Sequence, residues 1–134
     1  IDIRRMFTSC SSLKSIDVSN FNTSKVKYIL VMFCGCSSLE LIDLSNFNTS
    51  NVIEMGSMFK SCSKLTSLNL TNFDVSKVKN MDRMFQYCSS LKILDISNFK
   101  TSSLKTTYNM FSGCSSLESL DLSNFDTSNI INMY

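Results

Sequence analysis

The side chains that could take or give a proton, an electron pair or a metal bond fall into columns in this sequence. Five cysteines recur at one interval: Cys10, Cys36, Cys62, Cys88 and Cys114. Asp17, Asp43, Asp95 and Asp121 recur at the same interval, with Asn69 in the middle place. The chain has no histidine. Serine and cysteine therefore lack an imidazole base to activate them, and the one-cysteine interval is wrong for a zinc site. Stacked strands about 4.8 Å apart would allow a disulfide by distance, yet five stacked cysteines cannot all pair. The plainer reading is a column of small buried hydrophobes carrying free thiols. Cys34 stands outside the column in a Cys34-Gly35-Cys36 step, where a bridge would be strained. No catalytic, cofactor-binding or metal residue is expected, and the chain reads as non-enzymatic.

The acidic column is the best candidate for a surface with a purpose. Four carboxylates cannot stack in a core without partners, so the column must face solvent. Like charges about 5 Å apart repel by roughly 0.8 kcal/mol per pair in water, and Asn69 relieves this at mid-column. Ser19, Ser45, Thr71, Ser97 and Ser123 lie two residues further on. Two readings stay open: a docking face or weak cation site, or soluble aspartates bonded to the neighbouring serines. Two residues before each acid the sequence varies, through Ser15, Leu41, Ser67, Ile93 and Ser119. The candidate partner-binding residues are Asp17, Leu41, Asp43, Asn69, Ile93, Asp95 and Asp121. Lys25, Lys27, Lys77, Lys79 and Lys105 gather elsewhere and read as a solvated face. Thr23, Thr49, Thr101 and Thr127 form a column with Val75 at its centre. A hydroxyl array matched to ice needs more than one such column, so that use is set aside.

These columns exist because one phrase repeats. It starts at Met6, Met32, Met58, Met84 and Met110, a period of 26 residues without a slip. Self-similarity at that period marks a solenoid, in which each turn buries its apolar face only against its neighbours. Residues 1–5 read as the end of a preceding coil, 6–31, 32–57, 58–83 and 84–109 as full coils, and 110–134 as a fifth, nearly complete one. The whole is expected to be one repeat domain excerpted from a longer array. Within a coil, Leu65, Leu68 and Leu70 are apolar while Asn69 between two of them is polar, the alternation of a short strand. Asn72 and Phe73 follow, invariant in all five copies, with the Asn expected to be buried and bonded to the adjoining coil. Phe99 belongs to the same column, and Phe7 through Phe111 form a second one. After Ser76 the apolar residues Val78, Met81, Met84, Phe85 and Cys88 step by three and four, which predicts a short helical or 3₁₀ segment. The fold class is thus an α/β repeat solenoid, with one short parallel strand and one short helical segment per 26-residue turn.

Bulk composition excludes little else. A net charge of +2 gives no argument for nucleic acid. No apolar run approaches the roughly 18 residues of a membrane span, and no signal or lipidation motif is read in the segment.

The Leu-x-x-Leu-x-Leu of each coil resembles the strand signature of leucine-rich repeats. The preceding Met-Phe-x-x-Cys-Ser-Ser and the following Asp-Leu-Ser-Asn-Phe-Asp-Thr-Ser are similar to the BspA-like subfamily, the 26-residue bacterial surface protein repeat. That resemblance covers the whole chain. It implies a right-handed solenoid with a parallel sheet on one side, in a cell-surface or secreted protein used for adhesion. The implied partner is a host or matrix protein. The alternative expectation is a structural spacer whose uncapped ends, displaying Phe and Asn columns, stack end to end.

Overall fold

A strand needs a partner of matching register, and here the partner is the same phrase 26 residues away. The computed structural model describes residues 1–134. Strand β1 (Ser67–Asn69) pairs in parallel with β2 (Ile93–Asp95), setting Ser67 beside Ile93, Leu68 beside Leu94 and Asn69 beside Asp95. Leu68 and Leu94 point inward between exposed neighbours. The expected strand forms in these two coils, while the matching residues of the other coils form none.

A second ladder runs along another part of every coil. Asp2, Tyr28, Glu54, Asn80, Thr106 and Asn132 pair in succession, each parallel to the next. Around it, Ile53 N donates to Lys27 O, Lys79 N to Ile53 O and Lys105 N to Lys79 O, all near 2.9–3.0 Å. Ile29, Val31, Phe33 and Gly35 then donate to Glu54, Gly56, Met58 and Lys60 of the next coil.

This pattern corrects the expectation of a helical segment: the chain forms no helix. An α-helix uses every amide within the segment. Here alternate amides leave for the neighbouring coil, and the residues between them donate three back, as in Met32 N to Ile29 O and Cys34 N to Val31 O. Two residues per coil are left-handed, among them Val31 (φ 63°), Ser57 (57°), Arg83 (55°), Ser61 (61°) and Gly35 (77°). Such residues end a right-handed helix wherever they fall. Chained turns still carry every third or fourth side chain inward, so Val78, Met81, Met84, Phe85 and Cys88 are all buried.

The core lies between the two ladders as one cluster of 30 buried side chains running from coil to coil. Phe7, Phe33, Phe59, Phe85 and Phe111 stack with ring centroids 5.4–6.0 Å apart. Phe21, Phe47 and Phe73 stack at 6.4–6.5 Å. Phenylalanine suits this place because offset ring stacking adds to the area it buries.

Candidate interaction face

Strands β1 and β2 and the matching residues of the other coils present the predicted acidic column to solvent: Asp17, Asp43, Asn69, Asp95 and Asp121 are all exposed. Each closes a small turn. The Oδ1 of Asp17, Asp43, Asp95 and Asp121 accepts from the amide of Ser19, Ser45, Ser97 and Ser123 at 2.8–3.1 Å. Asn69 Oδ1 does the same for Thr71, whose hydroxyl also donates to it at 2.7 Å. Both open readings meet here, since the aspartates are bonded to the serines and still offer Oδ2 outward. Bonds from the serine hydroxyl and amide hold the Asp17 and Asp95 carboxyls below their ordinary range. The serine amide leads for Asp43 and Asp121, with the same direction. The row therefore stays ionised well into the acid range.

Leu41 and Ile93 project from the same flank, 63% and 67% exposed. They sit two coils apart, about 10 Å along the ladder. The face is thus a carboxylate row with two apolar contacts beside it.

The neighbouring columns differ from expectation in informative ways. The Asn column is exposed, not buried. Its amides nevertheless bond backward across the coil boundary: Asn72 Nδ2 reaches the carbonyls of Leu44, Ser45 and Phe47 at 2.9–3.2 Å, and Asn98 Nδ2 those of Thr71 and Phe73. An amide at the rim can cap carbonyls while its own oxygen stays wet. Thr23, Thr49 and Thr101 are buried, with hydroxyls donating to Asn48, Asp74 and Asp126 carbonyls. That column is a seam between coils and offers no surface array.

All six cysteines are free. The thiols of Cys36, Cys62, Cys88 and Cys114 donate to the carbonyls of Phe7, Phe33, Phe59 and Phe85 at 3.1–3.2 Å. Burial pushes Cys36 up to about 11 and Cys88 up to about 12, and raises Cys62 further still. A thiol so held is a poor nucleophile at neutral pH.

Sequence reading missed a latch between the third and fourth coils. Asp82 Oδ1 accepts from Thr106 Oγ1 at 2.5 Å and from Tyr108 N at 2.8 Å, while Arg83 lies over the Tyr108 ring at 4.8 Å. Asp82 and Thr106 occur at their places in no other copy, and that departure was the one available signal. Burial raises the nearby Glu54 carboxyl. Thr107 stands where other coils carry Ile29, Met55 and Met81, and its buried hydroxyl has no partner. It lines a cavity of about 520 Å³ on the last coil with Met110, Phe111, Leu122, Phe125, Met133 and Tyr134. No group of three His, Cys, Asp or Glu side chains is placed to hold a metal, and no helix is long and apolar enough to cross a membrane.

A chain assembled from one phrase, with its polar columns spent on turns and seams, is a repeat protein. It belongs to the family described as "Mycoplasma protein of unknown function, DUF285", whose model matches residues 1–94 and again 68–134. The two matches overlap over about one phrase, residues 68–94. No curated protein and no solved structure matches the chain.

Proposed function

We propose that this chain is a non-catalytic protein-interaction module of a surface or secreted protein, working in adhesion through its acidic strand flank. In this reading the coils wind as a right-handed leucine-rich-repeat-like solenoid, and the partner is a host or matrix protein. The supporting observation is the row of exposed carboxylates at coil spacing, each with one oxygen unbonded, flanked by exposed Leu41 and Ile93. The surface location and the adhesive role come from the likeness to BspA-like repeats alone.

The test is a binding panel of matrix proteins against the wild type and an Asp43→Lys, Asp95→Lys variant, with circular dichroism as the control on folding. Binding lost in a folded variant supports the reading; binding retained by that variant places the contact elsewhere. A second reading, a spacer that stacks end to end, is favoured by the apolar cavity on the last coil.

A further inference from the structure

The charges of this chain are almost wholly unpaired with one another. Thirteen Lys and Arg and eleven Asp and Glu residues make a single salt bridge, Arg4 with Asp2. The outward columns of the two flanks differ in sign, although the strand flank also carries exposed Lys14, Glu40, Lys92 and Glu118 beside its aspartates. The strand flank carries Asp17, Asp43, Asn69, Asp95 and Asp121, one residue per coil. On the second ladder the matching outward column is Lys27, Ile53, Lys79, Lys105 and Ile131; its lysines are exposed, and none bonds to a carboxylate. Inward residues of both ladders meet in one core cluster, so the two columns face away from each other.

Both columns have the pitch of the coil, because both are set by the same 26-residue period. Any two copies laid side by side are therefore in step over their length. Their gaps match as well. With a stagger of one coil, Lys27 falls opposite Asp43, Lys79 opposite Asp95 and Lys105 opposite Asp121. The uncharged Ile53 then falls opposite Asn69, the uncharged member of the acidic column. An antiparallel neighbour gives an equal match, pairing Lys105, Lys79, Ile53 and Lys27 with Asp17, Asp43, Asn69 and Asp95.

We infer that the acidic flank takes a second copy of this chain as a partner, docked by the Lys27–Lys79–Lys105 ridge of that copy. The inference rests on the reading that the strand flank is a protein-docking surface, and it names one occupant. Each copy has one acidic flank and one lysine ridge, so the contact is heterologous and leaves both end copies with an open flank. The assembly grows laterally with concentration. Its contacts are exposed ion pairs repeated about every 4.8 Å, a geometry that weakens steeply as the Debye length shrinks.

The experiment is sedimentation velocity on the 134-residue chain over a concentration series, at about 20 mM and about 300 mM salt. The expected result is growth at low salt that is reduced at least about tenfold in apparent association constant at high salt. Two variants are then compared: Lys27→Glu, Lys79→Glu, Lys105→Glu, and Asp43→Lys, Asp95→Lys, Asp121→Lys. Each alone should be monomeric. The first retains a wild-type acidic flank and the second a wild-type ridge, and their two reversed faces are complementary as well, so their mixture should regain growth as an alternating assembly. A misfolded variant could not give that rescue, and circular dichroism checks both.

A wild type that stays monomeric at low salt overturns the inference. So does continued growth of the lysine variant, which would move the contact to the coil ends, or a mixture of folded variants that stays monomeric. Binding of a matrix protein separates this from the broader reading. The lysine variant should still bind it, whereas failure of the aspartate variant to lose it would sink the strand flank as a docking surface.

Discussion

Replacing Phe59 by alanine interrogates the stacking of coils at its centre. The ring is fully buried, 5.7 Å from Phe33 and 6.0 Å from Phe85, within 9° of parallel to both. Truncating such a phenylalanine costs about 3–5 kcal/mol, and the rigid backbone of two hydrogen-bonded neighbours limits collapse of the cavity. Phe111 holds the same place in the last coil but is only half-buried, with one ring neighbour at 5.7 Å. About half its contact surface is missing, so its truncation should cost roughly 1.5–2.5 kcal/mol. Urea denaturation followed by far-ultraviolet circular dichroism reads both. The Phe59 variant should also show a lower denaturant slope, because the weakened interface lets the two halves unfold separately. Equal costs for Phe59→Ala and Phe111→Ala, within about 0.5 kcal/mol, would refute the reasoning, since the central ring would then have no second neighbour to lose.

Four further outcomes follow from the same contacts. Asn72→Asp should destabilise by about 1.5–3 kcal/mol in urea, because a carboxylate would face the Leu44, Ser45 and Phe47 carbonyls; Asn20→Asp, where no such bonds exist, should cost far less. Asp17, Asp43, Asp95 and Asp121 have lowered values in the fold, so the stability they add is present above the unfolded value and lost as pH falls through the folded one; the urea midpoint should drop below about pH 4. Glu54 has the opposite sign: burial raises it, the fold favours its protonated form, and stability is lost as pH rises through the raised value. Glu54→Gln should therefore raise the urea midpoint at neutral pH, with the gain disappearing in acid. A thiol reagent on the folded chain should modify exposed Cys10 first, and Cys62 and Cys88 only on unfolding, followed as absorbance against time.

Pairing between copies of the phrase was legible in the sequence, because a strict period names each residue's neighbour. Ser67 beside Ile93 and Phe33 beside Phe59 are such pairs. The exposure of the acidic column was legible too, from the cost of burying stacked carboxylates. The helical reading failed for a physical reason. Steps of three and four say which side chains go inward, but they do not say where an amide points. Val78 to Cys88 goes inward by chained turns whose alternate amides serve the next coil. Whether a polar column lies at a rim or in a seam was equally hidden: Asn72 and Thr49 both bond across coils, yet one is exposed and the other buried. The Asp82 latch lay beyond pattern reading, because a single-copy departure carries no period.

The most direct measurement is the through-bond nuclear magnetic resonance coupling across backbone hydrogen bonds. It should link the amide of Ile53 to the carbonyl of Lys27, Lys79 to Ile53 and Lys105 to Lys79, always 26 residues apart. Links at any other separation, or an Ile53 amide bonded to a carbonyl three or four residues back, would contradict the stacked-coil account.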